Sequence, residues 1–379
     1  MNGVLEVLLW VVAAVWVVFF VQVILNRLLM PNLIRTEPRV DGDWPSVSIV
    51  VPARNEERSV RQAVTSFCKQ DYPNLEVIVV EDRSTDATPH ILAELQREFS
   101  NLKVVHGQDP PAGWLGKPNA LETGRKAATG EWVLFVDADL VYEPDALRRA
   151  VAYATREDVG LLCLWPRLVT GEVVEAALMS SLPLVGLGLA PIYLINRSRK
   201  WPLVPGGGAG NLVRREALEA CGAFESLRDA VVDDIGLASR VKVAGYRVVS
   251  ILAREYLKVR MYEGTRATIN GFVKHTYAGV IRRPWLLPMP IVVGFVLGFL
   301  PYVGFIRAAC LGSISVPALV GLVFMHLALG FAAVTIRLPW YVAFLNPLRE
   351  VGWWWIVVRS YVSYRRNGLV WRGRAYASS

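Results

Sequence analysis

The chain has 379 residues, of which 53% are hydrophobic, and a formal net charge of +8 at pH 7. This length allows two or three ordinary domains. The basic residues flank apolar stretches instead of forming a stripe with a nucleic-acid-binding motif, so the composition argues against nucleic acid and favours anionic lipid head groups as partners. Four scattered cysteines and four scattered histidines argue against a zinc site or a disulfide framework.

A long apolar run opens the chain. From Val4 to Leu25 only Glu6 and Gln22 interrupt it, and about 20 apolar residues are enough to span a bilayer. A signal peptide is the alternative, but no small-residue cleavage site follows the run. We therefore expect residues 1–26 to form a retained transmembrane anchor.

Strand-like and helical patterns alternate from residue 44 to residue 262. The strand-like runs are apolar on both faces, which is typical of a mostly parallel sheet covered by helices on each side. We therefore predict one α/β domain over this range. The predicted strands are 46–51, 76–80, 102–105 and 132–136, and the predicted helices are 56–70, 86–99 and 117–128.

Acidic residues follow two of these strands, where ligands bind in such a sheet. Glu81 and Asp82 follow the second strand, and Asp137 and Asp139 follow the fourth. Helix capping explains one acid per helix, but residues i and i+2 of an extended chain point to the same side. Two carboxylates held that close repel each other unless a cation lies nearby. Because no GxGxxG follows the first strand, we expect a single nucleotide with a metal-bound diphosphate and not a dinucleotide.

Two further motifs lie later in the same domain. Residues 205–211 are rich in glycine, which is typical either of a mobile connector or of backbone that approaches a ligand closely. Asp233 and Asp234 open a predicted helix. Helix capping explains acids there as well, because the helix dipole stabilises them by up to about 1 kcal/mol.

Two more apolar runs, separated by a short loop, lie in the C-terminal third. We predict two transmembrane helices within residues 286–337, preceded by an amphipathic interfacial segment at 263–285. A basic segment at 338–379 is predicted to be interfacial or cytoplasmic. Basic residues follow the first span and flank the other two, so the positive-inside rule places the domain at 44–262 in the cytoplasm.

Five motifs cover most of residues 46–262. They are PARNEE (52–57), VVEDRSTDAT (79–88), GKPNALETGRKAATGEWVLFVDAD (116–139), GGGAGNLVRREAL (206–218) and DDIGLASRVKVAGYR (233–247). Together they resemble the family 2 glycosyltransferases, which have the GT-A fold. A GWLGK motif and the C-terminal WRGRAY motif are similar to the branch that glycosylates lipids, such as the carotenoid and hopanoid-associated transferases.

This resemblance implies an inverting, metal-dependent transfer of one sugar from a nucleotide-sugar, expected to be a UDP-sugar, to a hydroxyl or similar group of a membrane lipid. It makes Asp234 the general base and Asp139 a ligand of Mg²⁺ or Mn²⁺. The expected nucleotide-sugar contacts are Pro52, Ala53, Arg54, Glu56, Asp82, Lys117 and Asp137. The expected donor-sugar or acceptor contacts are Gly207, Gly208, Asn211 and Asp233.

The sequence leaves two alternatives open. A processive polysaccharide synthase of this family carries Gln-x-x-Arg-Trp after the base, and no glutamine of this kind is found here. A non-catalytic membrane module that binds nucleotide-sugars is the second alternative. We expect an integral protein of a bacterial or archaeal cell membrane. The expected phosphate or interface contacts are Arg282, Arg283, Trp285 and Arg374.

Overall fold

The computed structural model describes residues 3–40, 42–198, 209–230, 233–280, 288–366, 369–371 and 374–376. The chain divides into two compact units. The sheet unit comprises Met30–Leu168 and Ile192–Arg260, and the helical unit comprises Met1–Leu29, Val169–Pro191 and Met261–Ser379.

Helices and strands follow one another along the chain in the order typical of an α/β domain with added helices. The helices are α1 Gly3–Leu29, α2 Val60–Cys68, α3 Thr88–Glu98, α4 Gly116–Ala127, α5 Ala146–Arg156, α6 Val173–Met179, α7 Ser181–Leu189, α8 Ile192–Ile195, α9 Arg215–Ala220, α10 Asp233–Val243, α11 Gly264–Val280, α12 Pro288–Gly294, α13 Leu300–Cys310, α14 Val316–Thr335 and α15 Asn346–Arg366. The strands are β1 Val47–Ala53, β2 Leu75–Glu81, β3 Leu102–His106, β4 Trp132–Phe135, β5 Leu140–Tyr142, β6 Leu161–Trp165, β7 Arg167–Leu168, β8 Asn211–Arg214, β9 Val248–Leu252, β10 Leu257–Val259, β11 Leu369–Trp371 and β12 Arg374–Tyr376.

The sheet unit is built on a seven-stranded sheet with the order β3-β2-β1-β4-β8-β6-β9. β1 pairs in parallel with β2 and β4, and β2 pairs in parallel with β3. Only β8 runs against its neighbours, β4 and β6. Val50, Ile78 and Val133 at the centre of the sheet are fully buried, as expected for strands covered by helices on both faces. The predicted mostly parallel α/β fold is confirmed.

The turn after β1 is longer than the sequence pattern predicts. α2 begins at Val60 and not at residue 56. Residues 57–59 form a turn instead, with Ser59 N–H donating to Glu56 O at 3.0 Å, and side chains that follow β2 bind backbone N–H groups at the start of this turn. Glu56 N–H donates to Thr88 Oγ1 at 2.8 Å, and Glu57 N–H donates to Asp86 Oδ2 at 3.1 Å. These bonds hold the turns after β1 and β2 together at the edge of the sheet.

The helical unit contains three segments that are long and apolar enough to cross a membrane. They are α1, the continuous stretch Pro288–Cys310 and α14, with 27, 23 and 20 residues. A bilayer core needs about 20 residues of helix. By length and composition, all three are candidate spans.

Polar side chains of α1 find partners inside the helical unit. Trp16 Nε1 donates to Leu297 O at 2.8 Å, in a π-helical turn that joins α12 to α13. Asn26 is fully buried, and its Nδ2 donates to Leu187 O at 2.7 Å. Such bonds matter because an unsatisfied polar group is costly in an apolar environment.

Two glutamates tie the starts of α6 and α11 together within the helical unit. Glu175 is buried, and its Oε2 accepts from the N–H groups of Gly171 at 3.1 Å and Gly264 at 3.3 Å. Glu172 Oε2 accepts from Thr265 N–H at 2.8 Å. Each carboxylate therefore satisfies backbone donors that helix starts leave without a partner. α11 covers most of the segment that the sequence predicts to be amphipathic and interfacial.

Gly130, in the loop before β4, gives a test of this packing. A Cβ atom there would lie 2.6 Å from Ser48 N and 2.8 Å from the carbonyl carbon of Val47, both backbone atoms of β1. Since backbone cannot swing away, we expect Gly130→Ala to destabilise the sheet unit by about 1–3 kcal/mol. The apparent melting temperature in detergent should fall by about 2–4 °C per kcal/mol.

Gly330→Ala in α14 is the matched control. The nearest atom to a Cβ there lies at an ordinary 3.5 Å, and alanine favours helix more than glycine does. Its melting temperature should be unchanged or slightly higher. Equal melting temperatures for the two variants would contradict the packing described around Gly130.

Candidate active site

Ends of four neighbouring strands form one edge of the sheet. Because β1 pairs in parallel with both β2 and β4, all three present their carboxyl ends there, and Asp82 N–H donates to Ala53 O at 2.8 Å. β8 runs the other way, so its first residue, Asn211, lies opposite Phe135 at the end of β4. Adjacent strands are spaced by about 4.8 Å, so the edge from Asp82 to Asn211 extends about 14 Å.

A cleft opens at the β4–β8 end of this edge. Four residues that the sequence singled out line it: Lys117, Asp137, Asn211 and Asp234. The sequence did not predict the apolar wall of the cleft. This wall includes the rings of Phe135 and Phe224, whose centroids are 4.9 Å apart and whose planes are nearly perpendicular. The cleft thus combines charged groups with an apolar wall, as ligand pockets commonly do.

Lys117 and Asp137 form an ion pair in this cleft. Lys117 lies in the first turn of α4, and its Nζ is 2.8 Å from Asp137 Oδ1. Both side chains are about 40% exposed, so the pair adds little to stability, in general at most about 1 kcal/mol. The positive charge does offset the repulsion that Asp137 and Asp139 would otherwise exert on each other. It also places a movable cation where a phosphate could compete for it.

Asn211 joins the sheet to the start of α10. Its side chain is buried, and Nδ2 donates to the backbone carbonyl of Asp234 at 3.1 Å. Asp234 is the second residue of α10 and lines the cleft. This hydrogen bond holds the start of α10, and with it Asp234, next to the end of β4.

Tyr142 binds the backbone just before Asn211, a role that was not predicted from the sequence. Its hydroxyl donates to Ala209 O at 2.8 Å. Gly210 has φ +146°, and a Cβ atom there would collide with the Tyr142 hydroxyl, so the position requires glycine. Burial, and then the charge of Asp137, raises the pKa of Tyr142 well above its ordinary value. Tyr142 therefore remains a neutral donor.

Asp82 lies at the far end of the edge and is almost fully buried. Arg54 Nη1 donates to its backbone carbonyl at 2.7 Å, and Arg83 donates to its carboxylate at 3.3 Å. Burial raises the pKa of the Asp82 carboxyl, while the charges of Arg83 and Arg54 oppose the rise. A buried carboxyl with a shifted pKa beside two arginines is a typical functional-site signal.

Asp137 and Asp139 offer the donor set that a small divalent ion prefers. Both residues are partly exposed and lie at positions i and i+2 after β4, with Oδ1 of Asp139 turned away from solvent. The part of the chain that the structure describes holds no group of three or more His, Cys, Asp or Glu side chains that could bind a metal. Mg²⁺ and Mn²⁺ bound with a nucleotide commonly use one or two carboxylates, and phosphates and water fill the other positions. The residues present fit such an ion.

The remaining predicted positions are distributed along and beyond the edge. Pro52 and Ala53 are the last two residues of β1, and Glu56 lies in the turn that follows. Among described residues, the lining of the cleft includes neither Asp82 nor Asp139. The positions Gly207, Gly208, Arg282, Arg283 and Trp285, and the side chains of Asp233 and Arg374, lie outside what the structure describes, so their roles stay predictions.

The model of the family described as "Glycosyl transferase family 2" matches residues 48–222. This part of the chain is a glycosyl transferase family 2 domain, and the resemblance drawn from the motifs is confirmed. The matched range includes Asp82, Asp137, Asp139 and Asn211 and ends before Asp234.

Curated relatives carry names of lipid-modifying enzymes. Beta-monoglucosyldiacylglycerol synthase from Nostoc sp. is 31% identical over 207 residues, which are 54% of this chain and 43% of the relative. The chain thus spans less than half the length of that relative. 4,4'-Diaponeurosporenoate glycosyltransferase from Staphylococcus aureus is 26% identical over 353 residues, covering 88% of this chain and 89% of the relative.

Among solved structures, the chain is similar to the mannosyltransferase PcManGT from Pyrobaculum calidifontis, in complex with GDP-Man and Mn²⁺. The TM-score is 0.55 at 20% sequence identity, with 96% of this chain and 99% of the other covered. A likeness at this identity shows the fold. The GT-A nucleotide-diphospho-sugar transferase fold predicted from the sequence is confirmed.

The buried carboxyl of Asp82 leads to a prediction about pH. Its pKa is raised on folding, so the folded state holds the proton more tightly than the unfolded state. The resulting stability is present below the unfolded pKa of about 3.9 and is lost as the pH rises through the folded pKa. Asp82→Asn keeps a neutral group at every pH. We therefore expect its melting temperature, relative to the wild type, to rise from pH 3.5 to pH 7.

Asp109→Asn is the control for this pH series. Asp109 also pairs with Arg83, but its side chain is 90% exposed, so its removal changes a surface charge without relieving burial. The melting temperature of Asp109→Asn, relative to the wild type, should not rise between pH 3.5 and pH 7. If the difference in melting temperature between Asp82→Asn and the wild type did not change with pH, burial would not raise the pKa of the Asp82 carboxyl.

Proposed function

We propose that this glycosyl transferase family 2 chain is an inverting enzyme that moves one sugar from a nucleotide-sugar donor to a membrane lipid. The observation that carries the proposal is the single cleft that holds Lys117, Asp137, Asn211 and Asp234 at the carboxyl edge of the sheet. In open α/β sheets ligands bind at this edge. The glycosyl transferase family 2 domain supplies all of these residues except Asp234.

The donor would extend along the edge from β2 to β4. Asp82 and Arg54, at the ends of β2 and β1, suit the nucleoside, because a carboxylate accepts a base N–H well. A pyrimidine base such as uracil offers such an N–H, in keeping with a UDP-sugar donor. Pro52, Ala53 and Glu56 would line the same part of the pocket.

The diphosphate would then lie at the end of β4. Asp137 and Asp139 are the residues that would hold Mg²⁺ or Mn²⁺, which when bound stabilises the charge on the leaving diphosphate. Lys117 is 2.8 Å from Asp137 in the structure. When Asp137 holds the ion, Lys117 would exchange this carboxylate for a phosphate oxygen of the donor.

Asp234 is the proposed general base. Its carboxylate takes the proton of the acceptor hydroxyl while the hydroxyl oxygen forms a bond to the anomeric carbon. The bond from that carbon to the diphosphate oxygen breaks on the opposite face, and the diphosphate leaves with the bonding electrons. One displacement of this kind inverts the anomeric configuration. A positioned base typically contributes about 10²–10⁴-fold to the rate.

A lipid acceptor is supported by two features of the chain. Three segments of the helical unit are long and apolar enough to cross a bilayer. The relative that matches along most of both chains is named for a carotenoid acid, and the other relative for a diacylglycerol. A single-sugar product also agrees with the missing Gln-x-x-Arg-Trp motif. The cytoplasmic side, which the positive-inside rule favours, stays a prediction.

The direct test is the identity of the product. We expect the purified chain, incubated with a panel of radiolabelled nucleotide-sugars and host lipid extract, to label one lipid species with one sugar of inverted configuration. Asp234→Asn should lower this transfer by about 10²–10⁴-fold and still bind the nucleotide-sugar. Thin-layer chromatography and mass spectrometry would identify the lipid.

Asp158→Asn is a matched control for the loss of a carboxylate. Asp158 pairs with Arg214 on the surface, and its side chain is 74% exposed. The Asp158→Asn variant should therefore transfer sugar at the wild-type rate. A labelled polymer would instead indicate a polysaccharide synthase. Donor binding without any transfer would indicate a nucleotide-sugar-binding module, and wild-type transfer by Asp234→Asn would remove the base assignment.

Metal removal gives a separate prediction. We expect EDTA to abolish sugar transfer and added Mn²⁺ or Mg²⁺ to restore it, because diphosphate departure needs a counter-charge. Asp139→Asn should need a higher metal concentration for half-maximal rate, since one of two carboxylate ligands is lost. Full activity in EDTA, or an unchanged metal requirement in Asp139→Asn, would contradict the metal role.

A further inference from the structure

Among the described residues, two uncharged side chains at this edge of the sheet each have a buried polar atom without a hydrogen-bond partner. They are Asn211, through Oδ1, and Trp165, through Nε1. Asn211 opens β8 and lines the cleft. Trp165 is the last residue of β6, which pairs with β8. β8 runs against both β6 and β4, so β6 ends at the same edge of the sheet as β4.

The orientation of the Asn211 amide is fixed by its other half. Amide oxygen and nitrogen are usually assigned from the hydrogen-bond network, and here the network is decisive. A backbone carbonyl only accepts, so the atom 3.1 Å from Asp234 O must be the nitrogen, Nδ2. Oδ1 is therefore the remaining atom, and it is an acceptor whose lone pairs are not used. Buried acceptors without partners are rare because they cost stability.

Trp165 offers the opposite half of a hydrogen bond, since an indole N–H can only donate. The two strand ends therefore provide one unused acceptor and one unused donor. A phosphate oxygen would satisfy only Trp165, and a metal ion would satisfy only Asn211. A hydroxyl group both donates and accepts, so a ligand with several hydroxyl groups satisfies both.

We propose that Asn211 and Trp165 bind hydroxyl groups of the transferred sugar, with Asn211 Oδ1 accepting a hydroxyl proton and Trp165 Nε1 donating to a hydroxyl oxygen. The proposal rests on the proposed function and specifies the part of the donor that these two residues bind. Because Asn211 also holds the Asp234 carbonyl, one side chain links recognition of the sugar to the position of the base.

The test compares two ligands on the purified full chain, both with Mn²⁺. One is an intact nucleotide-sugar, beginning with UDP-glucose and continuing through the panel used for transfer, and the other is its own nucleoside diphosphate. We expect Asn211→Ala and Trp165→Phe each to weaken the intact donor by about 5-fold or more, the worth of one hydrogen bond. The affinity for the nucleoside diphosphate should stay within about 2-fold of the wild type.

Trp132→Phe is the matched control for Trp165→Phe. Trp132 is a buried tryptophan at the start of β4, on the opposite edge of the sheet, and its replacement should change neither affinity. Trp165→Phe keeps the aromatic ring and removes only the N–H donor, so it remains informative if Asn211→Ala folds poorly. A donor analogue without the hydroxyl that Asn211 contacts should bind the wild type and Asn211→Ala equally.

The outcomes separate this inference from the proposed function. Equal weakening of donor and nucleoside diphosphate by either variant would place its side chain at the metal or phosphate and overturn the inference. Unchanged affinity for both ligands would overturn it as well. If the wild type bound no nucleotide-sugar and no nucleoside diphosphate of the panel, the proposed function itself would fail.

Discussion

The parallel pairing of β1 with β2 on one side and β4 on the other is the constraint on which the candidate site depends. It brings Asp82 and Asp137 to one edge of the sheet, where like charges repel. The chain offsets this repulsion locally: Arg83 binds the Asp82 carboxylate and Lys117 binds the Asp137 carboxylate. Both cations are side chains that can move. A nucleoside diphosphate with a divalent ion could thus replace them without rearrangement of the sheet.

Four strands of the seven-stranded sheet, β1 to β4, could be predicted from the sequence because each is a short run rich in apolar residues, whereas β6 and β9 were not predicted. The ends of these four strands were predicted to within two residues, whereas the start of α2 was not. The pattern from residue 56 onwards is helical, but residues 57–59 form a turn whose backbone is held by Asp86 and Thr88, two side chains that follow β2. Local periodicity carries no information about partners about 30 residues away.

The candidate site likewise contains residues that the sequence singles out and residues that only the structure shows. Asp82, Asp137 and Asp139 could be selected as candidates because acids after apolar strands are conspicuous in a sequence, although only Asp137 lines the cleft. Tyr142 could not, because its role depends on Gly210, nearly 70 residues later, and on the hydrogen bond from its hydroxyl to the carbonyl beside that glycine. Trp165 resembles any aromatic residue at the end of a strand. Only coordinates show that its N–H has no partner among the described residues.

The hydrogen bond from Asn211 to Asp234 joins a part of the chain that the family model matches to a part that it does not match. Asn211 lies inside the matched residues 48–222, and Asp234 lies beyond them. The strand ends proposed to bind the nucleotide therefore belong to the shared domain, whereas the helix that carries the proposed base is attached to it by a neutral amide. A neutral tether suits a base, because it fixes the backbone of Asp234 without adding a charge that would alter the proton affinity of its carboxylate. Changes elsewhere in α10 could then alter the surroundings of Asp234 while Asn211 keeps the backbone of Asp234 at the end of β4.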